Sequence, residues 1–334
     1  MHEIAVYSLV FAAVASTQAP PARPDHRAER FMVPIPGTGL RVLLRHQAAG
    51  HPRGGASPVL FIHGASFPSA LAAAFPLDGT SWMDDLATRG FDVWALDFLG
   101  FGDSDRYPAT GRSGADQGPL GRSAAASRQI AAAVEFIAAH QRASRVSLVA
   151  HSWGTIPAGS YAGDSPDRID RLVLFGPVTR REQPPEPPTT GATWFVTVQA
   201  QRDRFYGYVP AGEAPVFDPT HFAVWGPAYL ATDPRSATRA PPSVEVPSGP
   251  IADAQEAWAG HLQYDPGRIT APVLIVRGAW DSVTEDADAA WLFAALRRAS
   301  RVRDVKISRG THVMHLEAAR HQLYDEVATF LTPP

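Results

Sequence analysis

The segment Ala150-His151-Ser152-Trp153-Gly154 constrains the fold of this chain more than any other. The apolar run 146–149 before it predicts a buried strand, and residues 155–163 after it predict a helix. A serine at the apex of such a sharp turn has a strained backbone, and the residues two before and two after it must be small. The alanine and the glycine meet that requirement. The turn would hold the hydroxyl of Ser152 above the sheet, beside a helix N-terminus that favours negative charge, so we interpret Ser152 as a nucleophile.

A serine nucleophile needs a base and an acid, and two later segments offer them. Residues 271–278 predict a buried parallel strand, and Asp281 lies just beyond it. Residues 302–307 predict another strand, which a short loop connects to His312. Because parallel strands end at the same edge of a sheet, we expect Asp281 and His312 to lie close to Ser152.

These segments resemble the α/β-hydrolase superfamily, and the resemblance extends from about Phe31 to the end of the chain. The order Ser, Asp, His along the sequence is the order of that family. Four further segments match the family. Residues 61–64 match its oxyanion loop, and residues 97–104 match its Asp-x-x-Gly-x-Gly-x-Ser turn. Residues 165–174 match the segment after the nucleophile, and residues 312–317 match the histidine loop. The strict Gly-x-Ser-x-Gly form is absent, because Ala150 occupies the first position. The resemblance implies an α/β fold with a mostly parallel central sheet, flanking helices and a helical cap insertion.

The same resemblance implies roles for particular residues. His312 would be the base, Asp281 the acid that orients it, and the backbone N–H groups of Ala65 and Trp153 the oxyanion hole. Two alternatives stay open, namely His315 as the base and Glu182, after the sixth strand, as the acid. A metal site built from the histidines is disfavoured, because there is no cysteine and no His-Glu-x-x-His helix.

The chain divides into a core and an insertion. We expect residues 28–177 and 261–334 to form the hydrolase core, and residues 178–260 to form a helical cap or lid. The insertion is rich in proline and then in aromatic residues, among them Trp194 and Phe195, which we expect in helix-like pieces.

The N-terminus contains an apolar stretch at residues 4–15 that is followed by small residues. This pattern resembles a signal peptide over residues 1–20 and predicts a secreted or periplasmic protein. The stretch is too short to span a bilayer, so no stable membrane insertion of the mature chain is expected. No Lys or Arg precedes the stretch, which leaves a cytoplasmic protein as the alternative.

Composition narrows the function further. A formal net charge of −3 gives no basic footprint for nucleic acid, and 45% hydrophobic residues in 334 allow a sizeable core. Together with this composition, the resemblance implies a cofactor-free, metal-free serine hydrolase that cleaves a small or medium apolar carboxylic ester, lactone or thioester through an acyl-enzyme on Ser152. The alternatives are a C–C bond hydrolase or acyltransferase with the same triad, and a non-catalytic ligand-binding protein. The oligomeric state stays open.

Overall fold

An eight-stranded sheet forms the centre of the molecule in a computed structural model that describes residues 28–108 and 118–333. The strand order is β1-β2-β4-β3-β5-β6-β9-β10, in which the pairs β1–β2 and β2–β4 are antiparallel and all the others parallel. The sheet strands are β1 Glu29–Pro34, β2 Arg41–Gln47, β3 Val59–Ile62, β4 Val93–Asp97, β5 Val146–His151, β6 Ile169–Phe175, β9 Val273–Gly278 and β10 Val302–Ile307.

Helices cover both faces of this sheet, as the apolar runs of its inner strands require. The helices outside the insertion are α1 Trp82–Thr88, α2 Ser123–Gln141, α3 Thr155–Asp164, α7 Asp286–Ala295 and α8 Arg320–Leu331. Successive strand residues point to opposite faces: Leu148 packs in the core under α2, α3 and α7, whereas Val149 packs under α1 and α8. The expected mostly parallel α/β sheet is thereby confirmed.

Residues 178–260 are inserted between β6 and β9. They contain α4 Val198–Gly207, α5 Pro219–Ala231 and α6 Gly249–Trp258, together with an antiparallel pair, β7 Thr193–Thr197 and β8 Ser243–Pro247. The expectation that Trp194 and Phe195 lie in helix-like pieces is wrong, because both are in β7 and pair with β8. The insertion is therefore a mixed structure and not a purely helical one.

Aromatic residues of the insertion pack against one another and against the core. The rings of Phe205, Phe222, Trp225 and Tyr229 are buried and in mutual contact. The indole Nε1 of Trp225 donates a 3.0 Å hydrogen bond to the carbonyl oxygen of Leu71, outside the insertion. This contact fixes α5 to the segment that follows β3.

The predicted signal peptide, residues 1–20, lies outside the described residues. None of the helices in the described ranges combines the length and the apolar composition needed to span a bilayer.

Candidate active site

Ser152 lies at the sharp turn between β5 and α3. Its φ of 57° is left-handed, a region that a residue with a Cβ rarely adopts. The small neighbours that the sequence suggested are needed here: Ala150 is completely buried, and a Cβ added at Gly154 would lie 2.3 Å from the carbonyl oxygen of His63. The strain and the tight packing therefore both serve to present the Ser152 hydroxyl at the C-terminal edge of the sheet.

His312 connects Ser152 to Asp281. Its Nε2 lies 2.8 Å from the Ser152 Oγ, and its Nδ1 lies 3.1 Å from each carboxylate oxygen of Asp281. With Nδ1–H donating to the carboxylate, Nε2 is unprotonated and accepts a hydrogen bond from the serine hydroxyl. The structure thus brings together the three side chains that were named from the sequence, and the arrangement can remove a proton from Ser152.

Asp281 is a buried carboxylate held by several donors. Burial alone would raise its pKa, but the charge and hydrogen bond of His312 and the backbone N–H groups of Val283 and Thr284, 2.9 and 3.0 Å from Oδ1, bring it below its ordinary value. Asp281 therefore stays ionised opposite the imidazole.

The alternative base, His315, is close to the site but does not reach Ser152. Its ring stacks on Phe67, and neither of its nitrogens has a hydrogen-bond partner in the described part of the chain. Burial, and then the charge of His312, lower its pKa to about 3, so it is a neutral core residue. His315 lies in a separate turn, Met314–Leu316, before α8 begins at Arg320.

The alternative acid, Glu182, is not brought to the site. Its side chain is 77% exposed and forms an ion pair with Arg180, on the surface of the insertion. This leaves Asp281 as the carboxylate that contacts His312.

The loop after β3 is shaped by His63. This buried side chain donates from Nδ1 to the carbonyl oxygen of Gly64 at 2.7 Å and accepts at Nε2 from the N–H of Phe98 at 3.1 Å. Burial lowers its pKa and keeps it neutral. The next residue, Ala65, lines the cavity beside Ser152, as does Trp153, and neither of these backbone N–H groups donates a hydrogen bond to any described residue.

A cavity of about 130 Å³ opens beside the Ser152 hydroxyl. Its walls come from the loop after β3, the turn at Ser152, the loops after β6, β9 and β10, and the helices α4 and α6 of the insertion. The lining is mainly apolar and consists of Gly64, Ala65, Ser66, Phe67, His151, Ser152, Trp153, Val178, Arg204, Tyr208, Pro250, Ile251, Ala254, Trp258, Val283, His312 and Val313.

Comparison with known proteins identifies the family. The sequence matches the profile of the α/β-hydrolase fold family over residues 57–319, which is well over half of the chain. The chain belongs to the α/β-hydrolase fold family. A comparison with curated protein sequences gave no match.

Solved structures share the fold of this α/β-hydrolase. A probable hydrolytic enzyme from Pseudomonas aeruginosa is similar with a TM-score of 0.61 at 19% identity, over 92% of this chain and 94% of that one. A 2-hydroxy-6-oxo-6-phenylhexa-2,4-dienoate hydrolase from a Rhodococcus strain gives 0.60 at 19%, over 91% and 100%. A thioesterase domain from the curacin biosynthetic pathway gives 0.56 at 18%, over 91% and 99%. These identities support a shared fold and no more.

Gly176 is a residue of this α/β-hydrolase site that sequence reasoning missed. It directly follows β6 with a φ of 54°, and a Cβ there would lie 3.1 Å from both the Asp281 Oδ2 and the ring of His312. The available signal was its position directly after a buried strand, as for Ser152. Glycine is favoured by this φ, and any side chain here would be in close contact with both Asp281 and His312.

Asp253 is a second missed residue, and it joins the insertion to the turn at Ser152. This fully buried carboxylate of α6 accepts hydrogen bonds from the indole Nε1 of Trp153 at 2.9 Å and from the backbone N–H of Ser123 at 2.6 Å. It also pairs with Arg122. Burial raises its pKa above the ordinary value, despite these donors.

His151, the residue directly before Ser152, contacts the loop that bears His312. Its Nε2–H donates to the carbonyl oxygen of His312 at 2.8 Å, and its ring stacks on Phe175. Burial is the main cause that lowers its pKa well below the usual value, so His151 is neutral. It holds the backbone of the histidine loop in place.

One group of metal-ligand type occurs in the described part of the chain, and it is remote from this site. Glu29, His46 and His140 place one potential ligand atom each within 4.8 Å. Glu29 is on β1, His46 on β2 and His140 on α2, and β2 is three positions from β5 in the sheet. Both nitrogens of His46 are already hydrogen bonded, to Glu29 and Asp92.

Proposed function

We propose that the chain is a serine carboxylic-ester hydrolase with Ser152 as nucleophile, His312 as general base and Asp281 as orienting acid. The observation that carries the proposal is the continuous hydrogen-bonded series from Ser152 Oγ through His312 to Asp281, at 2.8 and 3.1 Å, at the wall of a mainly apolar cavity. Membership of a hydrolase fold family supports it.

The mechanism follows from the geometry. His312 Nε2 takes the proton of Ser152 as its Oγ forms a bond to the ester carbonyl carbon, and the carbonyl oxygen becomes negative. The free N–H groups of Ala65 and Trp153 would bind this oxyanion. The C–O bond to the alcohol then breaks, and His312 returns the proton to the leaving oxygen. Water, activated by the same imidazole, hydrolyses the acyl-enzyme and releases the carboxylic acid.

Asp281 contributes by fixing the tautomer of His312 and by stabilising its protonated form in the two transition states. Its lowered pKa keeps it ionised at neutral pH, which this role requires. Because the carboxylate is buried and held by two backbone N–H groups, it does not reorganise during the reaction.

The insertion, residues 178–260, serves in this proposal as a cap. Tyr208, at the end of α4, and Pro250 and Ala254 of α6 form part of the cavity wall, while Asp253 ties α6 to the turn at Ser152. A cap in this position excludes water from the acyl transfer and limits the size of the substrate.

Cavity size supports a small acyl group. An apolar cavity of roughly 150 Å³ accommodates a benzene molecule, and the cavity here is about 130 Å³. We therefore expect turnover of 4-nitrophenyl esters to be highest for short acyl chains and to fall as the acyl group outgrows the cavity. The test is a series of such esters with wild type and Ser152→Ala, and turnover that is equal in both would refute the role of Ser152.

Hydrolysis of a C–C bond is the second candidate. The fold is similar to that of a hydrolase whose named substrate, 2-hydroxy-6-oxo-6-phenylhexa-2,4-dienoate, contains no ester. Release of a labelled acid from a vinylogous 1,5-diketone, without turnover of any ester or thioester, would favour this candidate. Transfer of the acyl group to an added alcohol in preference to water would instead favour an acyltransferase.

A further inference from the structure

Arg204 places a positive charge inside the cavity beside Ser152. It lies on α4 of the insertion, and its Nη2 donates a 2.7 Å hydrogen bond to the Oγ of Ser66 in the loop after β3. The same nitrogen donates to the Oε1 of Gln201. We propose that this guanidinium binds a carboxylate of the substrate, so that the ester that the enzyme cleaves carries a negative charge. This inference rests on the proposed function for the reaction that it specifies.

No carboxylate of the described residues compensates the charge of Arg204, whose guanidinium lies over the ring of Phe205 at 5.3 Å from the centroid. Both of its hydrogen-bond acceptors, Ser66 and Gln201, are neutral, and no carboxylate lies within ion-pair distance of it in the described residues. Among the residues that line the cavity it is the one permanently charged side chain, and none of the described ones is acidic. Its Nε is buried without a hydrogen-bond partner.

Partial burial of a guanidinium without a carboxylate partner reduces the free energy of unfolding. Arginines that are partly buried normally pair with a carboxylate, because removal of the charge from water is otherwise uncompensated. Most other arginines in the structure do so; Arg181 of the insertion, for example, pairs with Asp288. A neutral donor would suffice to hold Ser66. The charge, together with the unused Nε–H, therefore indicates an anion that arrives with the substrate, and the planar fork of guanidinium matches a carboxylate.

The position of Arg204 limits the distance between this carboxylate and the scissile bond. Its partner Ser66 is two residues after Gly64, and a Cβ added at Gly64 would lie 3.0 Å from the Ser152 Cβ. Two residues of extended chain span at most about 7 Å. Arg204 and Ser152 also line the same cavity of about 130 Å³, so the carboxylate and the ester carbonyl are separated by a few bonds, as in the monoester of a short dicarboxylic acid.

The test compares two substrates that differ in one charge, mono-4-nitrophenyl adipate and 4-nitrophenyl hexanoate. We expect wild type to prefer the adipate monoester, and Arg204→Gln to lower the ratio of the two kcat/KM values by about 10- to 100-fold, as loss of a charged hydrogen bond does. Arg202→Gln is the matched control, because Arg202 is an exposed residue of the same helix that stacks over Tyr206. This control should leave the ratio unchanged.

A binding measurement separates this inference from the proposed function. Adipate should bind wild type and Arg202→Gln at least 10-fold more tightly than Arg204→Gln by calorimetry. Adipate binding that depends on Arg204, without turnover of either ester, would support the anion site and refute the esterase. Turnover of both esters with a ratio that Arg204→Gln does not change, and adipate binding that is equal in all three proteins, would overturn the anion site and leave the esterase intact.

Discussion

The indole Nε1 of Trp153 donates a 2.9 Å hydrogen bond to the Oδ2 of Asp253, and this bond joins the turn that bears Ser152 to helix α6 of the insertion. Trp153 follows the serine directly, and its backbone N–H is one of the two proposed oxyanion donors. The position of the insertion and the shape of the proposed oxyanion hole are therefore coupled through one buried carboxylate.

Removal of that carboxylate should destabilise the protein. Asp253→Ala leaves the Trp153 indole and the Ser123 N–H without an acceptor and removes the buried one of the two carboxylates that pair with Arg122, and we expect a loss of about 3 kcal/mol in the free energy of unfolding. Glu256→Ala is the control, because Glu256 is a half-exposed neighbour on the same helix that pairs with the same arginine. Glu256→Ala should lower the free energy of unfolding by less than about 1 kcal/mol. Urea unfolding of both variants measures the difference, and equal losses would contradict the role assigned to Asp253.

The triad residues should differ in their effects on turnover. Ser152→Ala and His312→Ala should each lower kcat on the order of 10⁵-fold or more, and Asp281→Asn somewhat less, while the double change Ser152→Ala with His312→Ala costs little beyond either alone. Glu182→Gln, at the exposed alternative acid, should retain full activity. Steady-state kinetics with one ester tests the set. An Asp281→Asn enzyme as active as wild type would place the acid elsewhere.

Gly176 should matter for catalysis through contact and not only through backbone strain. Gly176→Ala places a methyl group 3.1 Å from the Asp281 carboxylate and the His312 ring, and a displaced imidazole should lower kcat by about 100-fold. Gly37→Ala introduces similar strain, at a φ of 75°, but with no atom within 4 Å of the new methyl group. Kinetics and circular dichroism of the two variants separate the effects. A Gly37→Ala enzyme with the same loss of kcat would show that contact with the triad is not the cause.

Glu317 should make the free energy of unfolding depend on pH between 4.5 and about 7, above the range in which most carboxylates titrate. Burial raises its pKa to about 7 in the folded protein, against an ordinary value of 4.5, although Thr311 donates to it from both its N–H and its hydroxyl. The folded state therefore holds a proton that the unfolded state has lost between these values. The contribution to stability is complete below pH 4.5 and is lost as the pH rises towards 7, by at most about 3 kcal/mol.

Glu317→Gln removes this titration while keeping the shape of the side chain. We expect urea unfolding of wild type to show a decrease in the free energy of unfolding between pH 5 and pH 7.5 that is smaller in the variant. Parallel pH profiles of the two proteins would contradict a raised pKa at this position.

Much of the core and the triad could be predicted from the sequence because both depend on local patterns. Ser152, Asp281 and His312 each follow a strand, and the buried strands β5 and β9 are mostly apolar. The edge strand β10 is only partly buried but was placed correctly at residues 302–307. Parallel strands bring their ends to one edge, so the three side chains converge without further information.

The residues that were missed depend on contacts across long stretches of chain. Asp253 accepts a hydrogen bond from Trp153, which is 100 residues away in the sequence, and Arg204 donates one to Ser66, which is 138 residues away. Both belong to the insertion, whose short elements have weak periodicity; Trp194 and Phe195 were assigned to helix there and form a strand. Such contacts are set by how the insertion packs on the core, and no local pattern encodes them.

The central claim is that Ser152 is an activated nucleophile, and its reaction with a fluorophosphonate is the direct measurement. The account predicts that intact mass spectrometry shows a single covalent adduct on wild type and none on Ser152→Ala, with both proteins folded by circular dichroism. Failure of folded wild type to form an adduct, or an adduct of equal yield on Ser152→Ala, would contradict it. In the first case the triad would be inactive, and a ligand-binding role on this fold would replace catalysis.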